Sequence, residues 1–184
     1  MLQEPAYRAG GFSEDASEES RSREAVDRLL SPSQWASSLS ELTGFEWKEE
    51  GWEQLKNDRI GHRVLAGGVD GDGVDRPASS PSMSQALVVK RLAQLAAEHV
   101  VDRDLLSGQE GGLLRSEWWG LESSNDRIAA LSELHWRLLA RRPSAEEAEA
   151  LHSLFEAVES HAGEQRAWQS AVSVLLRDTE FVSY

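Results

Sequence analysis

From residue 23 onward, apolar side chains recur mostly at steps of three and four residues, the spacing that puts them on one face of a helix. Val26, Leu29 and Leu30 share such a face in a first helix over 23–30. Ser31-Pro32 ends that helix and opens the next, since proline suits a first helical position where the amide needs no partner. Trp35, Leu39 and Leu42 then form a stripe, and Gly44 stands where a helix stops. Ser82 opens the longest pattern. Met83, Ala86, Leu87 and Lys90, then Ala93, Ala97 and Val101, trace one stripe, and Val89, Leu92, Ala96 and Val100 trace a second beside it. Apolar positions over so wide an arc predict a central helix buried on more than one side.

The last third carries the clearest pattern. A helix capped by Ser124 or Asn125 directs Ile128, Leu131, Leu134, His135 and Leu138 inward and closes before Pro143. Ser144 and Glu147 have the spacing of a capping box, in which hydroxyl and carboxylate each satisfy an amide of the first turn. Leu151, Leu154, Phe155 and Val158 line the helix that follows. Trp168, Ala171, Val172, Leu175 and Leu176 line the last one, after which Asp178 caps a final turn carrying Phe181 and Tyr184.

Other stretches break the period. Residues 1–22 are polar and nearly free of aliphatics, which predicts a flexible acidic leader. Phe45 to Leu55, interrupted by Gly51, reads as a short helix after a turn. Between Arg63 and Ser82, four glycines, two prolines and the Asp-Gly pairs exclude a long helix and predict an ordered loop or a small hairpin, with Arg63-Val64-Leu65 as a short strand. Residues 108–124 read as loop. The expected fold is mainly α: one helical bundle domain over 23–184, with a three-helix portion over 125–184.

The composition narrows the chemistry. The chain of 184 residues has 19 Lys and Arg against 32 Asp and Glu, a net charge of −13. Such a surplus repels phosphate backbones and anionic lipid, which argues against nucleic acid as a partner. The absence of cysteine removes disulfides, zinc ribbons, thiol nucleophiles and haem attachment through CxxCH. The first twenty residues have neither the basic start nor the apolar centre of a signal peptide, and no stretch reads as a membrane span. The chain as written is therefore expected in the cytoplasm. A piece of a longer secreted protein would instead belong to the periplasm or the exterior.

Arg141-Arg142-Pro143-Ser144-Ala145-Glu146-Glu147, followed by Trp168 and by Leu175-Leu176-Arg177-Asp178-Thr179-Glu180-Phe181, resembles the C-terminal helical domain of large planctomycete- and myxobacterial-type secreted proteins. Those proteins often also carry a c-type cytochrome domain. The loop from Ala66 to Gly71 and the helix from Ala86 to Val101 look similar to a segment preceding that domain, so the likeness spans about 35–184. It implies a helical module within a larger protein and transfers no catalytic residue. The chain departs from the pattern in lacking the haem-binding cysteines and the export signal.

Two groups of residues are candidate sites. Asp70, Asp72 and Asp75 alternate with glycines and could offer several oxygens to calcium. The EF-hand template fails, however, at Val74, Asp75 and Pro81, and solvated aspartates in a turn are the simpler reading. Trp118-Trp119 lies between Gly111-Gly112 and Gly120, where two exposed indoles could stack on a sugar or anchor a protein, although loop tryptophans that fold back over the core are the simpler reading. Trp35, Trp136 and Trp168 fall on or near helical stripes and are expected in the core or at its boundary. The five histidines form no metal-ligand spacing. His135 is expected buried, and His99 with Asp102 reads as a surface pair one turn apart. Glycine-rich phosphate loops and nucleophile elbows are absent from the sequence. These features predict a non-catalytic interaction or scaffolding module that docks partner proteins, or upstream domains of the same polypeptide, through the apolar face from Ala86 to Val101. The alternative is a carbohydrate- or polymer-binding module using Trp118 and Trp119, with calcium at the three aspartates.

Overall fold

The computed structural model describes residues 30–56, 61–69, 73–74, 76–78, 82–107 and 111–182. The expected leader, the helix over 23–29, the three aspartates and Tyr184 lie outside the described residues.

The protein is mainly α, with seven α-helices among the described residues and a single two-stranded hairpin. Helix α1 (Pro32–Thr43) begins at Ser31, whose hydroxyl accepts the Gln34 amide at 3.4 Å while the Gln34 side chain accepts the Ser31 amide at 3.0 Å. It ends at Gly44 in the left-handed region, φ 68°. Trp35, Ala36 and Leu39 are buried, but Leu42 turns outward and Thr43 takes the inner position, its hydroxyl donating to the Leu39 carbonyl at 2.6 Å.

The hairpin pairs β1 (Lys48–Glu49) with β2 (Trp52–Glu53). It replaces the short helix expected there, because Glu50 and Gly51 both adopt positive φ, 51° and 83°, the geometry of a two-residue turn whose twist matches its strands. The strand expected at Arg63-Val64-Leu65 is instead one helical turn, α2 (His62–Leu65), closed by backbone bonds from Leu65 to Gly61 and from Ala66 to His62.

Helix α3 (Met83–Val101) starts at Ser82, whose hydroxyl accepts the Gln85 amide at 3.1 Å. From Val88 onward it is embedded: Val88, Leu92, Ala93, Ala96, Ala97, Val100 and Val101 are all buried. Its end widens into a π-helical turn, Asp102–Leu106, where the Ser107 amide reaches back five residues to the Asp102 carbonyl at 3.0 Å. After a 3-10 turn (Ser116–Trp118) come α4 (Ser124–Leu139), α5 (Ala145–Ala162), α6 (Glu164–Leu175) and α7 (Thr179–Val182). Helix α6 contacts α3, α4 and α5, and so joins the C-terminal helices to the central one. Ala93, Ala96 and Ala97 of α3 and Ala167 and Ala171 of α6 have no exposed surface, and such small side chains let two helices approach closely.

Two joints set the C-terminal directions. Between α4 and α5, Ser144 and Glu147 form the expected capping box, with bonds of 3.2 and 2.7 Å. Arg141 grips both Glu147 oxygens at 2.6 and 2.9 Å and donates Nε to Glu180 of α7 at 2.5 Å. Its guanidinium thus ties the joint to the end of the chain. Hydrogen bonds from Arg141 and from the Ser144 backbone hold the Glu147 carboxyl down at about 2. His135, buried as expected, donates Nδ1 to the Arg141 carbonyl at 3.0 Å. Between α5 and α6 stands one residue, Gly163, at φ 84° and ψ 167°, a conformation open essentially to glycine alone.

Gly163→Ala should therefore destabilise the fold by about 1–3 kcal/mol, although its added methyl would meet no neighbouring atom. Ala140, at φ 55° past the end of α4, is strained in the opposite sense. Ala140→Gly should stabilise by up to ~1 kcal/mol, the relief of the left-handed strain less the entropy glycine adds to the unfolded chain. Urea unfolding of both variants checks the pair. Glu147→Gln should unfold at lower urea than the parent at pH 7. Because the Glu147 carboxyl lies at about 2 against an ordinary 4.5, its contribution is present above pH 4.5 and is lost as the pH falls towards 2. The gap between the two proteins should narrow over that window, and a gap constant with pH would contradict the assignment.

Candidate functional site

The segment 111–123, which has no periodicity in the sequence, is held at many points. Asp104, fully buried in the π-helical turn, accepts the Leu114 amide at 3.0 Å and pairs with Arg103 Nε at 2.5 Å. Arg103 also donates to the Thr43 carbonyl at 2.6 Å, linking α1 to the same knot. A β-carbon on Gly112 would collide with the Asp104 carboxylate, so that glycine is a matter of close approach, whereas Gly111 before it meets nothing and answers to its positive φ of 81°. Arg137 donates to the Gly112 and Leu113 carbonyls at 3.1 and 2.9 Å, Arg127 to the Leu121 carbonyl at 2.6 Å, and the Gly120 amide to Glu164 at 2.8 Å.

Trp118 and Trp119 are separated by this anchoring. Trp118 is buried, its ring 5.8 Å from that of Trp168 and nearly parallel to it. Phe155 meets Trp168 edge-on at 4.9 Å. The Arg137 guanidinium lies 5.6 Å over Trp118 and that of Arg127 5.2 Å over Phe155. Trp118 therefore folds back into the core and is not available to the alternative of two exposed indoles, whereas Trp119 keeps 40% of its surface exposed. Trp136, expected in the core or at its boundary, is 51% exposed. It stands two residues past Leu134, about 200° around α4, and so lies off the buried stripe.

A polar cavity of about 410 Å³ adjoins the knot, lined by Glu41, Arg103, Gly112 and Arg137. Both of its arginines are engaged by backbone carbonyls, which reads as structural. His99 packs its ring on Phe45 at 5.8 Å, and Asp102 accepts from Gln165 at 3.2 Å, so the two do not form the expected surface pair. Asp70, Asp72 and Asp75 lie outside the described residues, and no group of three potential metal ligands occurs among those described.

The face of α3 expected to receive a partner is divided. From Val88 to Val101 it is filled by the protein itself, but Met83 and Leu87 remain 81% and 60% exposed. With Ala86, Val89 and Val182 they line an apolar groove of about 430 Å³. Its charged lining residues are Lys90 and Arg177. Sequence reasoning placed Met83 and Leu87 on the right stripe but could not tell that the packing stops short of them. No helix among the described residues is long and apolar enough to cross a membrane.

Compared with known proteins, the chain matches no family model, no curated protein and no solved structure.

Trp118→Ala should cost about 3–5 kcal/mol, since it removes a large buried ring from a stack. Trp119→Ala should cost under about 1 kcal/mol, as befits a half-exposed side chain. Thermal and urea unfolding of the two variants measure the difference, and equal losses would show that the neighbouring indoles are not divided between core and surface.

Proposed function

We propose that the protein is a non-catalytic helical interaction module whose docking surface is the apolar groove between the first turns of α3 and the end of α7. One observation carries this reading: large apolar side chains at successive turns of a well-capped helix, Met83 and Leu87, stand exposed beside a groove floored by aliphatic residues. Contiguous apolar surface of this kind is unfavourable in water and marks interaction sites. The two cations at its rim, Lys90 and Arg177, choose the partner. The occupant is a protein segment that is helical and amphipathic, with apolar residues at steps of three and four flanked by carboxylates.

The absence of cysteine makes the test direct, because an introduced thiol is the only one in the chain. Leu87→Cys should react with a maleimide as fast as Glu149→Cys, which marks an exposed position of α5. Strong protection of Leu87→Cys in the intact chain would show that the groove is already filled from within and would sink the reading. Selection from a peptide display library should then enrich amphipathic acidic helices. Their binding should be abolished by Leu87→Glu without a change in melting temperature, and selected peptides indifferent to Leu87→Glu would equally refute the site.

A further inference from the structure

Beside the apolar groove, and sharing only Arg177 with its lining, α3 and α6 border a second depression of about 520 Å³. Its character is polar. Arg91, Arg166 and Arg177 line it against a single carboxylate, Glu98, in a protein whose acidic residues outnumber its basic ones by 32 to 19. Five other arginines, at 103, 115, 127, 137 and 141, each pair with a carboxylate. Among the described residues none of these three does. Gln169 and Ser173, both buried, lie at the base, and they orient two of the guanidiniums. Arg166 donates one terminal nitrogen to the Gln169 side chain at 2.8 Å, and Arg177 donates Nε to the Ser173 carbonyl at 3.1 Å. Those bonds fix the stems and leave terminal N–H groups for an occupant.

The geometry points to a binding site for a small anion carrying two or more negative charges on oxygen, phosphoryl or polycarboxylate. Guanidinium presents paired donors matched to such oxygens, and three of them around one depression favour a multiply charged ligand over a single carboxylate. The volume suits a small molecule. The lining offers neutral donors and acceptors at Gln94, Ser170 and Ser173 but no nucleophile with an adjacent base, so the role is capture.

Calorimetric titration of the full chain at about 0.1 M salt, where charges more than ~10 Å apart are screened, tests this. The probes are tripolyphosphate, citrate and, as a neutral control, glucose. Tripolyphosphate or citrate should bind with one saturable site and glucose should not, and whichever of the two anions binds more tightly names the phosphoryl or the carboxylate class. Arg91→Gln and Arg177→Gln should each weaken that binding by about tenfold or more, the scale of one charge-assisted hydrogen bond. Arg142→Gln, at an exposed position away from the depression, should leave it unchanged. Saturable binding that survives both depression variants, or that falls equally with Arg142→Gln, would overturn the assignment. So would the absence of binding by either anion. Arg177 lines both depressions, but Arg91 lines only this one and Leu87 only the apolar groove. Leu87→Ser, which adds no charge one turn from Arg91, should weaken peptide binding at the groove without altering anion binding, so either site can fail without the other.

Discussion

The fold depends on a stack of five side chains running from Arg137 through Trp118, Trp168 and Phe155 to Arg127. The three rings come from three different segments, the 3-10 turn, α6 and α5, and both guanidiniums come from α4. Ring contacts of this kind each add roughly 0.5–1.5 kcal/mol beyond the area they bury, but their placement matters more than their sum. The stack sets where α6 sits relative to α4 and α5, and it requires segment 111–123 to lie flat against the bundle. A guanidinium at each end could not be left half-dehydrated over an aromatic face without partners. Carbonyls of Gly112, Leu113 and Leu121 and the Glu159 carboxylate supply them. The loop that delivers Trp118 to the core therefore also solvates the cations that cover it.

The distribution of arginine follows from the same economy. In a chain so rich in carboxylates, a guanidinium is the side chain best able to bond several backbone carbonyls and an acid at once. Arg103 connects α1 to the π-helical turn, Arg127 connects segment 111–123 to α5, and Arg141 connects the α4–α5 joint to α7. These bonds act as positional ties between elements distant in sequence. Their exposed members add little to stability one by one, whereas Asp104, buried with Arg103 and a loop amide, would be costly to leave unpaired.

What the sequence revealed was the local information. The capped starts of α1, α3 and α5 and the stripes of α4 to α6 depend on residues within one or two turns of each other, and all appear in the structure. The hairpin escaped because its turn, Glu50-Gly51, places a non-glycine residue at positive φ and lacks the Asn-Gly or Asp-Gly that signals such a turn. The π-helical turn escaped because what accompanies it is remote: a buried Asp104 receiving an amide ten residues later. Whether Trp118 faces the core or the surface was left open for the same reason, since its ring partner lies fifty residues on in α6. Of the candidate sites, the stripe containing Met83 and Leu87 was legible but its exposure was not, because which part of a helix remains uncovered is decided by the reach of its neighbours.

The single glycine between α5 and α6 has a consequence for how the protein tolerates changes of length. An α-helix advances about 100° per residue, and Gly163 leaves no slack between a mostly exposed helix and a mostly buried one. One inserted residue would have to be absorbed by rotating α6 about its axis, which would carry Trp168, Val172 and Leu175 off the core-facing side together. Phase between the two helices is thus encoded in the residue count at the joint, so variation in length has to be accommodated elsewhere in the chain.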